Sequence, residues 1–320
     1  MSLPEMNGEL PRSPAASERT VSPAQRQTES TFGYKWARRE TYESEAMQAA
    51  ARAWLFERYC GGDEHVLDNW LAGDPKTILD AGCGAGFSAM LFFGERLKAH
   101  NYIGVDISDA VDVAASRFEE AGYPATFMKR DLLDIPVEDG IVDIIFSEGV
   151  LHHTDSTEGA LKALSSKLRK GGLFLFYVYA KKAVIREFTD DVVREALHPL
   201  SDEEAWEALM PLTKLGVELG KLDVELDVPE DIPFLGIKAG RQNLQRFFYW
   251  NICKMYYRSE FSLDEMNHIN FDWFRPLNCH RQTPADVRRW CEEAGLDIVR
   301  MDVQDAGITV VAEQNRDVTR

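Results

Sequence analysis

The chain has 320 residues, 45% of them apolar and 28% charged, which is the composition of a globular protein with a buried core. Its 36 Lys and Arg against 53 Asp and Glu leave a net charge of −17, which disfavours broad contact with a phosphate backbone and hence a nucleic-acid partner. The longest apolar stretch, Leu173 to Ala180, is far short of the ~18 residues a bilayer span requires.

Five scattered cysteines without a CxxC pair fit neither a disulfide frame nor a zinc knuckle, so the expectation is a cytoplasmic protein with no structural metal. The N-terminus shows no apolar signal-peptide core. Residues 1–30, with Pro4, Pro11, Pro14 and Pro23 among Ser, Thr, Glu and Gln, read as a flexible tail because they hold little apolar surface to offset ordering. An N-terminal helical cap follows over 31–74, where Met47, Ala50, Ala51, Trp54, Leu55 and Tyr59 recur at helical spacing between Ser44 and Tyr59.

Over 75–180 short strands alternate with helices. Ile78-Leu79, Tyr102 to Asp106, Ala125 to Met128, Ile141 to Phe146 and Leu173 to Val178 read as strands, and Thr157 to Arg169 as a helix stopped by Gly171-Gly172. This is the signature of an α/β, doubly wound, Rossmann-like parallel sheet. The alternation breaks over 181–275, a mostly helical insertion with Pro229 and Pro233 at an internal turn and an aromatic cluster from Phe247 to Tyr257. Residues 276–320 complete the sheet, starting from the helix signal Thr283-Pro284-Ala285-Asp286 and ending in strands at Asp297 to Met301 and Ile308 to Val311.

Three positions at successive strand ends describe a ligand. Asp80 precedes the glycine turn Gly82-Cys83-Gly84-Ala85-Gly86, where bare backbone admits close approach; a carboxylate there opposes a pyrophosphate and suits a cation. Asp106, with Ile107 beside it, ends the second strand, where a carboxylate accepts ribose hydroxyls. Asp131-Leu132 follows the third strand, positioned for an adenine edge and face. Together they fit an adenosine that carries positive charge and no phosphate.

These motifs, with Asp143 to His153 and Gly171-Gly172, resemble the successive motifs of class I S-adenosylmethionine-dependent methyltransferases, most nearly the small-molecule branch that includes quinone-biosynthesis enzymes. The resemblance implies a seven-stranded sheet with its last strand antiparallel and S-adenosyl-L-methionine as cofactor. It also implies Asp80 and the glycines near the methionine part, Asp106 on the ribose, and Asp131 with Leu132 at the adenine.

Methyl transfer requires chiefly alignment and exclusion of water. Ser147 and Glu148 leave the fourth strand beside the expected sulfonium, and His152, His153 and His280 are the candidate general bases. Tyr34, Trp36, Tyr249, Trp250 and Arg241 are candidate substrate contacts, with Arg246 and Arg275 as further cations for an anionic group. The leading expectation is methylation of a small-molecule acceptor by a protein that binds neither nucleic acid nor membrane and forms a possible homodimer. The alternatives are a macromolecular acceptor and a catalytically silent S-adenosylmethionine-binding regulator.

Overall fold

The computed structural model describes residues 21–316. Helices α1 (Pro23–Ala37), α2 (Glu45–Cys60) and α3 (Glu64–Leu71) lead into β1 (Thr77–Ala81), α4 (Phe87–Phe93), β2 (Asn101–Asp106), α5 (Ala110–Ala121) and β3 (Ala125–Lys129). There follow β4 (Val142–Glu148), α6 (Thr157–Ser165), β5 (Leu168–Tyr179), α7 (Val184–Leu197) and α8 (Asp202–Lys221). A short antiparallel pair, β6 (Glu225–Val228) and β7 (Gly240–Asn243), precedes α9 (Leu244–Asn251) and α10 (Leu263–Phe274); α11 (Pro284–Ala294), β8 (Leu296–Val303) and β9 (Gly307–Gln314) close the chain.

The main sheet has the order β3-β2-β1-β4-β5-β9-β8, with β9 antiparallel to both neighbours and the strands from β1 to β5 parallel. Its strands are apolar on both faces because helices cover both. Leu79, Ile145, Phe174 and Phe176 pack with α6 and α11 on one side. Their neighbours Ile78, Ile144, Phe146 and Leu175 pack with α2, α3 and α4 on the other, as a period of two requires. Strand order reverses between β1 and β4, which opens a crevice at their carboxyl ends.

Three expectations change. Residues 1–20 of the expected tail lie outside the described residues, but 23–30 begin helix α1, capped by Ser22, whose Oγ accepts from the Gln25 amide, with Pro23 in the first turn. The polar composition that suggested a tail is here the packing surface. Gln27 Nε2 donates to the Arg275 carbonyl at 3.2 Å and its Oε1 accepts from the Leu277 amide at 2.9 Å, while Asn278 Nδ2 donates to Gln25 Oε1 at 3.1 Å. The helix expected to reach Arg169 ends at Ser165, and Gly171-Gly172 lie within β5, where pairing jumps from Leu168 opposite Val142 to Leu173 opposite Ile144. Gly171 has φ +73° and Gly172 faces backbone carbonyls that exclude a Cβ, so this glycine pair forms a bulge in the strand rather than a helix stop. The insertion also carries the strands β6 and β7, between which Pro229 and Pro233 fall.

The insertion folds over the carboxyl end of β5. Tyr177 and Tyr179 from that strand form one apolar cluster with Trp206 of α8 and Phe271, Trp273 and Phe274 of α10. Buried hydrogen bonds fix α8 against α10: Thr213 Oγ1 donates to Asn267 Oδ1 at 2.7 Å and Asn270 Nδ2 donates to Thr213 Oγ1 at 2.8 Å.

Candidate active site

The glycine turn after β1 is closed by backbone. Gly82, Gly84 and Gly86 all have positive φ (85°, 50° and 70°), which L side chains rarely adopt. The amides of Gly82 and Cys83 donate to the Val105 carbonyl at 2.7 and 2.9 Å. The Gly84 amide donates to Asp106 Oδ2 at 2.9 Å, while Asp106 Oδ1 accepts from the amide and hydroxyl of Ser108 at 2.8 and 2.7 Å. Burial raises the Asp106 carboxyl above its ordinary pKa while these donors favour its charge.

A cavity of about 530 Å³ runs from this turn to the insertion. Gly82, Asp106, Ile107, Asp131, Leu132 and Glu148 line its sheet end; Trp36, Tyr249 and Trp250 line it from α1 and α9. Asp131 Oδ1 accepts from the Leu133 amide at 2.9 Å, which holds its loop at the β3 end. Glu148 accepts from Arg58 Nη1 and from the Tyr59 hydroxyl, both at 2.5 Å, so α2 is latched to the end of β4. The Arg58 guanidinium is itself sandwiched between the rings of Trp54 and Tyr177, at 3.2 and 3.5 Å.

Other expected cofactor contacts stand behind the cavity wall. Asp80 accepts from the Tyr102 hydroxyl at 2.5 Å beneath the turn, and burial pushes its carboxyl up to about 7, so it braces β1 on β2 instead of facing a cation. Ser147 is fully buried and donates to the Ala81 carbonyl at 2.8 Å, tying β4 to the start of the turn. Gly84 is covered by the Trp36 indole and Gly86 by Phe118, where no side chain would fit. Their expected roles become support of the turn.

The three histidines part company. His153 lines the cavity, and its Nδ1 lies 2.6 Å from the Asn278 carbonyl. A carbonyl only accepts, so the proton sits on Nδ1 and the Nε2 lone pair, which has no partner among the described residues, is left free. Burial pushes its pKa down to about 4, which keeps the ring neutral near pH 7. His152 lies outside the cavity lining, stacked on Tyr179 at 3.7 Å between ring centres, and burial holds its pKa well below the ordinary value; it fills the core. His280 is exposed, with Nε2 3.0 Å from the Thr154 carbonyl, and borders a separate surface pocket.

Of the expected substrate contacts, Trp36, Tyr249 and Trp250 reach the cavity and two residues do not. Tyr34 packs on Trp206 and Phe271, because α1 turns that face toward the insertion core. Arg241 is exposed on β7, 3.7 Å from Glu225 across the short hairpin. Arg275 is buried and binds Asp202 at 2.8 Å and the Leu200 carbonyl at 2.8 Å, a structural tie at the end of α10.

Sequence reasoning missed Lys35, Lys182, Arg186, Lys254 and Asp272, which all line the cavity. Asp272 takes the Lys35 ammonium on one oxygen and the Tyr179 hydroxyl, at 2.7 Å, on the other. Burial alone raises its carboxyl, yet Lys35, His153 and Lys254 together hold it well below the usual carboxylate range. The available signal was position: Lys35 and Lys254 each stand among apolar or aromatic residues, in Phe-Gly-Tyr-Lys-Trp and Cys-Lys-Met-Tyr-Tyr, rather than on a polar face.

A crevice at the strand-order reversal, a three-glycine turn and a carboxylate at the end of β2 define a class I S-adenosylmethionine-dependent methyltransferase fold. Residues 79–176 match the family described as a methyltransferase domain, and the chain carries that domain. An uncharacterized protein of Synechococcus is 34% identical over 125 residues, which cover 38% of this chain and 30% of that one. The tRNA U34 carboxymethyltransferase of Actinobacillus succinogenes is 31% identical over 114 residues, 34% of either chain. The chain thus spans about a third of the length of the curated relatives it matches. Among solved structures, magnesium protoporphyrin IX methyltransferase from Synechocystis with bound SAM is 13% identical with a TM-score of 0.48, over 92% of this chain and 99% of that one.

The residues present fit S-adenosylmethionine, the cofactor of this fold class. Asp106 lines the cavity and uses three of the roughly four acceptor positions of a carboxylate, leaving one for a hydroxyl. Leu132 offers an apolar face beside Asp131. Among the described residues there is no helix long and apolar enough to cross a membrane and no cluster of three metal-ligating side chains.

Proposed function

We propose that this protein transfers a methyl group from S-adenosylmethionine to a small-molecule acceptor held in the cavity, releasing S-adenosylhomocysteine. The observation that carries the reading is the continuity of one cavity, about 530 Å³, from Asp106 at the sheet to Tyr249 and Trp250 in the insertion. That volume lies in the range of sites that enclose a small ligand. When bound, the cofactor supplies an electrophilic methyl group on a sulfonium.

Each neighbouring group then has a physical task. Asp106 holds a ribose hydroxyl, Asp131 and Leu132 the purine, and Glu148, held in place by Arg58, faces the positive end of the cofactor. Trp36, lying over the glycine turn, and Trp54 on α2 exclude water. His153 Nε2 accepts a hydrogen bond from the acceptor nucleophile and orients it; at a pKa of about 4 it is too weak a base to strip a proton by itself, so alignment carries the rate.

The names of relatives raise tRNA as a second acceptor class. The net charge of −17 weighs against it. A cytoplasmic setting, supported by five free buried cysteines, and a homodimer belong to the same proposal. The test is release of S-adenosylhomocysteine from S-adenosylmethionine in the presence of a cell's small-molecule fraction or of its bulk tRNA. Turnover with the first supports the reading, turnover with tRNA alone replaces it, and tight cofactor binding with turnover in neither makes the protein a silent binder.

A further inference from the structure

The insertion end of the cavity is cationic in a strongly acidic chain. Lys182, Arg186, Arg246 and Lys254 line it, and the acid that lines it with them, Asp272, already has both oxygens engaged by Lys35 and Tyr179. The remaining lining acids named above, Asp106, Asp131 and Glu148, stand at the sheet end.

These cations are not equally satisfied, and another that lines the cavity, Arg258, stands 3.6 Å from Glu260. Arg186 is matched by Asp190, Nε to Oδ2 at 2.6 Å, and also donates to the Tyr249 carbonyl. Arg246 donates to the Tyr257 carbonyl at 3.2 Å, and Lys182 to the carbonyls of Asp305 and Ala306, so both are hydrogen-bonded without a counter-charge. Lys254 is 6% exposed, and its ammonium has no hydrogen-bond acceptor and no ion-pair partner among the described residues; the Trp273 ring, 5.0 Å away, is its contact. Removing an ammonium from water without an anion is costly, and an anionic ligand in the cavity would offset that cost at Lys254.

We propose that the methyl acceptor is an anion with a flat apolar body, its acidic group received by Lys254 with Lys182, Arg186 and Arg246 around it. The body would lie among Tyr249, Trp250, Tyr256 and Trp273, whose rings share that end of the cavity. Carboxylate and phosphate both meet this description, and lysine, as a compact point charge, accepts either. Burial lowers Lys182 and Lys254 to a pKa of about 7, which an arriving anion would reverse. The inference rests on the small-molecule reading above.

The experiment is calorimetric titration in two stages. S-adenosylhomocysteine is titrated first; no binding at this stage overturns the methyltransferase reading and leaves the anion site to be judged alone. The protein, saturated with it where it binds, is then titrated near pH ~6, where the lysines are protonated, with benzoate, 2-naphthoate and phenyl phosphate and with the neutral amides benzamide and 2-naphthamide. At least one anion is expected to bind about tenfold or more tighter than the neutral amides, with Lys254→Met removing that preference and Lys254→Arg keeping most of it. Equal affinity for acids and amides, no binding by any of the three anions, or an undiminished preference in folded Lys254→Met overturns the inference. Lys254→Met exchanges an unpaired buried charge for an apolar chain of similar length, so its melting temperature should not fall, and that melt certifies the variant.

Discussion

Arg58 Nη1 and Glu148 Oε1 lie 2.5 Å apart where α2 crosses the end of β4, with side chains 1% and 8% exposed. This pair joins the helix that covers the cavity to the strand that leads into its wall. Breaking one member of a buried pair leaves the other charged and unpaired, which costs roughly 3–5 kcal/mol. Arg58→Met should therefore lose about that much in urea unfolding, while Arg58→Met combined with Glu148→Gln should lose distinctly less. Additive losses would mean that the two side chains act independently.

Asp106 serves the fold before it serves a ligand, because it accepts from Gly84 and twice from Ser108. Asp106→Ala leaves those buried amides without partners, at about 1–3 kcal/mol for each unsatisfied group. It should also weaken S-adenosylhomocysteine binding roughly tenfold to a hundredfold. Calorimetry at a temperature well below the variant's own melting point separates the two effects. Unchanged affinity would place the ribose elsewhere.

His153 and His152 make a matched pair of controls. Both are buried and neutral, but only His153 lines the cavity and has its tautomer fixed, by the Asn278 carbonyl. His152→Phe should retain activity, since Tyr179 stacks on either ring. His153→Phe should lower kcat by about tenfold to a hundredfold, the value of an orienting hydrogen bond to a reacting group. With a pKa of about 4, His153 should put no inflection near pH 6.5 in the kcat profile. An inflection there that vanishes in His153→Phe would make it a conventional general base.

What the sequence made legible was local. The alternation of Ile78, Leu79 and Ala81 ahead of three glycines states a buried strand and a turn, and Asp106 and Asp131 fall at strand ends because the spacing of strands is itself regular. Helix α1 was not legible, because Gln25, Gln27 and Thr28 are stabilised by hydrogen bonds to residues about 250 positions away, which composition does not record. Asp80 failed for a related reason: its position before the turn is evident, while the Tyr102 hydroxyl that takes its carboxylate comes from the next strand. Arg241 and Lys254 show the limit most directly. Both are cations in the insertion; Cys253 and Met255 hint at burial for Lys254, and Gly240 and Gln242 at exposure for Arg241, but which cation reaches the cavity depends on how the insertion folds over β5, which the sequence does not state.

Lys254 should leave a signature in the pH dependence of stability. The groups facing it are Asp272 of α10, Arg186 and Asp190 of α7, and Lys182 before α7; burial outweighs the two acids and lowers its pKa from 10.5 to about 7. In the window from about pH 7 to 10.5 the unfolded chain holds a proton at this position that the folded chain has released, so its cost is full below pH 7 and shrinks as the pH rises. Lys254→Met removes that cost. The variant should be more stable than the parent at pH ~6 and lose the advantage progressively toward pH ~10. Anion binding should run the other way in the parent, weakening up to about tenfold per pH unit above pH ~7 as the lysine deprotonates. Thermal melts and benzoate titrations across this range check both slopes, and a stability difference independent of pH would mean that the ammonium is matched by a charge in the folded protein.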